Sequence, residues 1–153
     1  MDNDKKQQNI KLIEQLEDYF KENARRFNIE TAFLFGSRAG GFPAKYSDVD
    51  IGILFDNNEF TDEDVFLRIT DISMELSGTV NLEINVIPVY CDFRKPLLYY
   101  NVIVLGKPLY IGNLDKYASL KNEAIFQMED FNIFGEKWMI EVAKNKLKEI
   151  INA

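Results

Sequence analysis

The stretch FLFGSRAGGFPAKYSDVDIGILF, residues 33–55, decides how this chain folds. An apolar run ends in Gly36-Ser37, ten residues (38–47) follow, and Asp48-Val49-Asp50 opens a second apolar run. Both runs read as β-strands. Side chains alternate across a strand, so Asp48 and Asp50 project to one face and Val49, Ile51, Ile53 and Phe55 to the other. Carboxylates two residues apart on a strand have Cβ atoms roughly 6 to 7 Å apart, which lets them share a hard cation such as Mg²⁺. Gly36 permits a sharp turn and close backbone approach, and Ser37 can start a short helix whose N–H groups and hydroxyl accept a phosphate.

Either motif alone is weak, since Gly-Ser is commonly a turn and Asp-x-Asp a solvated strand edge. Ordered together between two apolar strands they are far more specific. Gly36-Ser37, the spacer and Asp48-x-Asp50 resemble the signature of the nucleotidyltransferase superfamily. The spacer and the short chain make the stretch most similar to the minimal nucleotidyltransferase (MNT) family, the antitoxin halves of HEPN/MNT toxin–antitoxin pairs. The resemblance spans about residues 29–110 and is specific only at those two motifs.

The resemblance implies an α/β (α+β) nucleotidyltransferase fold: a short mixed β-sheet with flanking helices, packed mainly on one side, and a C-terminal helical extension. It implies a Mg²⁺-dependent transfer of AMP from ATP to a hydroxyl, in the MNT antitoxins a tyrosine of a HEPN-type toxin. Asp48 and Asp50 then hold the metal, while Gly36, Ser37 and nearby amides bind the terminal phosphates. Arg38 follows at the start of the expected helix, either reaching a phosphate or simply exposed. A third carboxylate in the superfamily comes from the strand beside Asp-x-Asp. Here the apolar pattern puts Asn85 in that position and Glu83 two residues earlier on the same face, so either residue completes the site.

Composition sets the outer bounds. The 153 residues are of single-domain size, taken as one nucleotidyltransferase-like domain with its core at about 29–110 and C-terminal helices at about 114–151. Apolar residues make up 46% and no low-complexity tract is present, which argues for a packed globule. Eighteen Lys and Arg against 25 Asp and Glu give a net charge of −7, which disfavours direct nucleic-acid binding and anionic membranes and fits a basic partner. The single cysteine, Cys91, forms no intramolecular disulfide and reads as a partly buried spectator; the absence of histidine removes imidazole-based zinc sites. Neither a leader-like apolar region nor an 18-residue apolar run occurs, so a cytoplasmic protein is expected.

Outside the central stretch, periodicity carries the reading. Ile13, Leu16, Phe20, Ala24 and Phe27 predict an amphipathic helix over 8–27 that stops at Asn28, and 29–35 reads as a central strand with apolar residues on both faces. Residues 40–47 make a breaker-rich loop that lies over the nucleotide or merely connects the strands. Thr61 is an N-cap with Asp64 at N3, Val65, Ile69, Ile72 and Leu76 form the stripe of the helix that follows, and Gly78 is its expected stop. Residues 80–89 read as a third strand, 93–105 as a Pro-Leu-Leu helix and 106–110 as a short strand. Two further helices are expected, the first striped by Tyr117, Leu120, Ala124 and Met128, the second over about 139–150. Phe131, Phe134 and Trp138 belong either to the core or to a partner surface.

Two functions other than tyrosine AMPylation follow from the same residues. A catalytically weak or inactive antitoxin of the same fold, acting by binding its partner, fits the acidic surface and the uncertain third acid. A transferase acting on a small molecule such as an antibiotic hydroxyl ranks last, because it calls for an additional substrate-binding region.

Overall fold

A computed structural model describes residues 2–40 and 48–152, without the side chains of residues 2, 133 and 134. The loop residues Gly41, Pro43, Lys45, Tyr46 and Ser47, and the side chain of Phe134, lie outside the described residues. Among the described residues eight elements follow one another: α1 (Asp2–Phe27), β1 (Ile29–Phe35), β2 (Val49–Phe55), α2 (Asp62–Val80), β3 (Ile84–Pro88), α3 (Pro96–Ile103), β4 (Lys107–Ile111) and α4 (Leu114–Ile151). The strands form one mixed sheet in the order β3-β2-β1-β4. β1 runs antiparallel to both β2 and β4, whereas β2 and β3 are parallel.

The two-sided apolar character of β1 is explained by its place inside the sheet. Ala32 and Leu34 pack with Leu12, Leu16 and Phe20 of α1 and Ile72 and Leu76 of α2, together with Val49, Ile51 and Ile53 of β2. Phe33, on the opposite face, packs with Tyr99, Val102 and Ile103 of α3 and Leu120 and Ala124 of α4. Helices therefore cover both faces, two on each, and the expectation of helices mainly on one side is corrected. The apolar sets of α3 and early α4 are too short to announce a second layer from periodicity alone. Leu16, Phe20, Phe33, Ile51 and Ile72 are fully buried, each contributing about 1.5 to 3 kcal/mol.

Helix ends follow local chemistry with one revision. Asn28 takes the left-handed conformation at φ 57° and stops α1, as its position predicts. Thr61 and Asp64 form the predicted capping box, Asp64 N–H donating to Thr61 Oγ1 at 3.1 Å and Thr61 N–H to Asp64 Oδ2 at 2.9 Å. These bonds hold the Asp64 carboxyl below its ordinary value. Gly78 does not stop α2. The helix continues to Val80, and Asn81, at φ 56°, caps it by donating its N–H to Ser77 O. An asparagine tolerates the left-handed region, whereas a solvent-facing glycine inside a helix only weakens it. The third strand consequently begins at Ile84 rather than residue 80.

The C-terminal region is one helix, not two. Asn113 caps α4 by accepting from Lys116 N–H at 3.0 Å, and the helix runs 38 residues through Gly135. Gly135 costs about 1 kcal/mol relative to alanine but removes no backbone donor, so it does not break the helix. Leu120 and Ala124 are buried, while Phe131, Trp138, Met139, Ile140, Leu147 and Ile150 are exposed, so Phe131 and Trp138 are not core residues. α1 and α2 are joined near their ends by Tyr19, whose hydroxyl donates to Glu75, and by Arg26, which pairs with Glu75 at 2.7 Å. Burial and the Glu75 carboxylate raise the Tyr19 phenol well above its ordinary value. No helix among the described residues is long and apolar enough to cross a membrane.

Candidate active site

The site is assembled at the end of the sheet where β1 leaves and β2 enters. Val49, Ile51 and Ile53 are fully buried on the α1/α2 face. That fixes the opposite face for Asp48, Asp50 and Leu54, the last of which packs with the α3/α4 cluster. Asp50 pairs with Phe35 of β1 on one side and with Asn85 of β3 on the other.

Gly36 makes the close approach possible. Its φ is +76°, a conformation L side chains rarely adopt, and a Cβ placed there would lie 2.5 Å from Asp50 Oδ2. Glycine is thus required twice, by conformation and by the carboxylate behind it. After it, Ala39 and Gly40 N–H groups donate to Gly36 O at 3.2 and 3.4 Å. Residues 37–40 form a turn, in place of the helix start expected at Ser37, and Ser37 is exposed beside the carboxylates.

The third position is an amide. Asn85 Nδ2 donates to Asp48 Oδ2 and to Asp50 Oδ1, both at 3.3 Å. Both bonds are longer than the usual N–H···O distance, so the amide is shared between the two carboxylates rather than committed to one. Glu83 is exposed and precedes the strand; its carbonyl accepts from Val49 N–H at 2.9 Å, which sets the register that brings Asn85 beside Asp50. Of the two residues left open by the sequence, the structure brings Asn85 to the pair. Among the described residues no group of three acidic or thiol side chains converges on one point.

Arg38 follows two residues after Gly36. It is buried, its carbonyl accepts from Asn9 Nδ2 at 3.5 Å, and it lines a groove with Lys5, Gln8 and Leu12 of α1 and Asn81 and Leu82 beyond α2. The exposed guanidinium expected as one reading is therefore corrected, because a turn following a buried strand folds Arg38 back against α1. Cys91, expected to be partly buried, is an exposed residue on the loop after β3, with desolvation and the neighbouring Asp92 raising its thiol.

Sequence reasoning missed a pocket of about 580 Å³ at the other end of the sheet, lined by Glu30, Leu54, Phe55, Asp56, Phe93, Asp115, Lys116 and Glu123 among others. Its residues come from four separate segments, and none forms a motif. The one available signal was Glu30, a charge inside an otherwise apolar strand.

Residues 14–115 match the family model described as polymerase beta, nucleotidyltransferase. Among solved structures, a chain of a toxin–antitoxin complex with AMP-PNP is similar at a TM-score of 0.64 and 16% identity, over 82% of this chain and 97% of that one. A chain of the tri-AMPylated Shewanella oneidensis HEPN toxin in complex with MNT antitoxin is similar at 0.60 and 15% identity, over 85% and 98%. A further Shewanella oneidensis structure aligns at 0.59 and 11% identity, over 83% and 95%. No curated protein sequence matches the chain.

Proposed function

The chain belongs to the polymerase beta nucleotidyltransferase family, and from that premise we propose that it transfers AMP from ATP to a tyrosine of a HEPN-type toxin, acting as an antitoxin. The observation that carries this reading is the convergence of Asp48, Asp50 and Asn85 beside Gly36 and Ser37 on the family's fold. Support for the partner comes from the similar structures, one of which is an AMPylated HEPN toxin with its MNT antitoxin and another a toxin–antitoxin complex with AMP-PNP.

The donor set fits a hard divalent cation. Asp48 and Asp50 supply charged oxygens on one face, and Asn85 can present its amide oxygen by turning about its last torsion. Mg²⁺ bound there would neutralise triphosphate charge in an in-line displacement at the α-phosphorus. Exposed Ser37 offers its hydroxyl to the phosphates, and Gly36 lets the backbone approach without displacing Asp50. The acceptor hydroxyl enters from the open face, where Asp48 and Asn85 are exposed. Asn85 cannot take the acceptor's proton, so Asp48 and Asp50 are the carboxylates within the site able to do so. A cytoplasmic location is consistent with a need for ATP.

One observation favours a second reading. The uncharged amide in the third position weakens two-metal chemistry, while α4 exposes the large apolar side chains of Trp138, Met139, Ile140 and Leu147. An antitoxin that acts chiefly by binding uses the second feature and needs little of the first.

Co-expression with a HEPN-type toxin, incubation with ATP and Mg²⁺, and intact mass measurement of both proteins separates the readings. A gain of whole AMP masses on the partner, lost with Asp48→Ala, supports transfer. A stable complex without mass gain supports binding alone, and absence of both complex and mass gain refutes the two together.

A further inference from the structure

We propose that the pocket at the opposite end of the sheet from Asp48 and Asp50 binds an aliphatic diamine or polyamine, one ammonium on buried Glu30 and another on the carboxylates at the rim. Glu30 is the second residue of β1, six residues before Gly36, so the two sites are roughly 20 Å apart by strand rise. Neither site shares a residue with the other.

Glu30 is the decisive residue. It is 8% exposed, lines the pocket, and its Oε1 has no hydrogen-bond partner. A buried carboxylate oxygen left unpaired is costly, and such groups ordinarily meet a cation or a donor. The backbone places it there: pairing between β1 and β2 shifts register between Ile29 and Thr31, leaving Glu30 as the extra residue of a bulge. On the other side, Gly112 N–H donates to Glu30 O at 2.8 Å. A Cβ on Gly112 would lie 2.9 Å from that carbonyl and 3.4 Å from Glu30 Oε2, so glycine lets β4's end approach the Glu30 backbone.

The remaining lining selects the ligand class. Asp56, Asp115 and Glu123 are exposed at the rim, where Lys116 is the only cationic lining residue among the described residues, 3.7 Å from Asp56 Oδ1. Glu123 also accepts from Gln127 Nε2 at 2.8 Å. Among the described residues four carboxylates against one ammonium leave the lining three charges negative, while Leu54, Phe55, Phe93 and Leu120 add apolar surface to it. A bare metal ion gains nothing from apolar walls, and a monoamine leaves one of the two carboxylate groups unused. Two ammonium groups joined by methylenes satisfy both ends and bury the stem, and 580 Å³ lies within the range of small-molecule pockets.

Isothermal titration of the full chain with putrescine, and with n-butylamine as a one-charge probe of equal stem length, tests this. The expected result is one putrescine per chain, n-butylamine weaker by about tenfold, and Glu30→Gln weaker by at least about tenfold through loss of the buried charge contact. Excess Mg²⁺ should leave putrescine binding in place. Equal affinity for the two amines, undiminished binding by a folded Glu30→Gln protein, or several weak sites erased by Mg²⁺ would overturn the proposal, the last showing diffuse counterion binding only. If Glu30→Gln does not fold, Asp115→Asn combined with Glu123→Gln decides: a drop of about threefold or more supports the site, no change refutes it. Magnesium-dependent ATP binding measured in parallel on Glu30→Gln should match the parent chain, so failure at one end of the sheet is read separately from failure at the other.

Discussion

The two ends of the sheet solve the same packing problem and arrive at different chemistry. At each end a glycine lies against an acidic residue: Gly36 against the Asp50 carboxylate, and Gly112 against the Glu30 backbone carbonyl. Around Asp50 the neighbours are polar and open, with Asp48 and Asn85 exposed. The pocket that Glu30 lines includes Leu54, Phe55 and Phe93, and Glu30 itself is buried. A hydrated cation with its phosphates fits the first environment, because it keeps part of its water shell. The second rewards a ligand that brings apolar surface with its charge. Identical side-chain chemistry therefore acquires different use from the wall around it.

Gly36→Val should have the largest effect of any single change at either end. It forces a β-branched residue to φ +76° and into the Asp50 carboxylate. Strain of about 1 to 3 kcal/mol is expected from the backbone alone. Thermal unfolding should show the destabilisation, and ATP titration with Mg²⁺ should show no binding; a normal melt with normal binding would mean Gly36 plays neither part.

Next in size is the third position. Asn85→Asp adds a carboxylate where the amide now bridges Asp48 and Asp50, and should raise the rate of AMP transfer by about tenfold. Glu83→Ala, whose side chain precedes the strand, should change that rate less than about twofold. The opposite pattern in single-turnover assays would return the role to Glu83.

Gly112→Ala is the milder counterpart of Gly36→Val, since its backbone is not left-handed and the tightest contact is 2.9 Å. A loss of about 1 kcal/mol is expected by denaturant titration, with ATP binding untouched. Tyr19→Phe should cost no more than this, at most about 1 kcal/mol for one hydrogen bond to Glu75. The Tyr19 and Arg26 contacts lower the Glu75 carboxyl below its ordinary 4.5. The contribution of this carboxylate is thus full above that value and disappears as pH falls through the lowered one. The difference between Tyr19→Phe and the parent should be present at pH 7 and shrink in acid.

What the sequence disclosed tracks how local its causes are. Residues 33–55 disclosed β1, β2 and the facing of Asp48 and Asp50, because alternation is a property of the strand itself. Asn28 and the Thr61 cap were readable for the same reason. The start of β3 was not, since Val80 and Leu82 continue an alternating pattern while the backbone still ends a helix at Asn81. The second helical layer escaped because α3 and α4 bury few residues each, and Glu30 because its partners come from distant segments. Whether Asn85 or Glu83 meets the aspartates depended on register, which tertiary pairing decides.

The proposed function requires nucleotide and metal to bind at the Gly36 end of the sheet. Calorimetric titration of ATP, with Mg²⁺ and with chelator, into the parent chain and the Asp48→Ala/Asp50→Ala double variant tests it most directly. One ATP per chain is expected only with Mg²⁺, and at least about a hundredfold loss in the variant, whose melting temperature should not fall because two close like charges are removed. Parent-like affinity in a folded double variant, or ATP binding unaffected by chelator, would contradict the account.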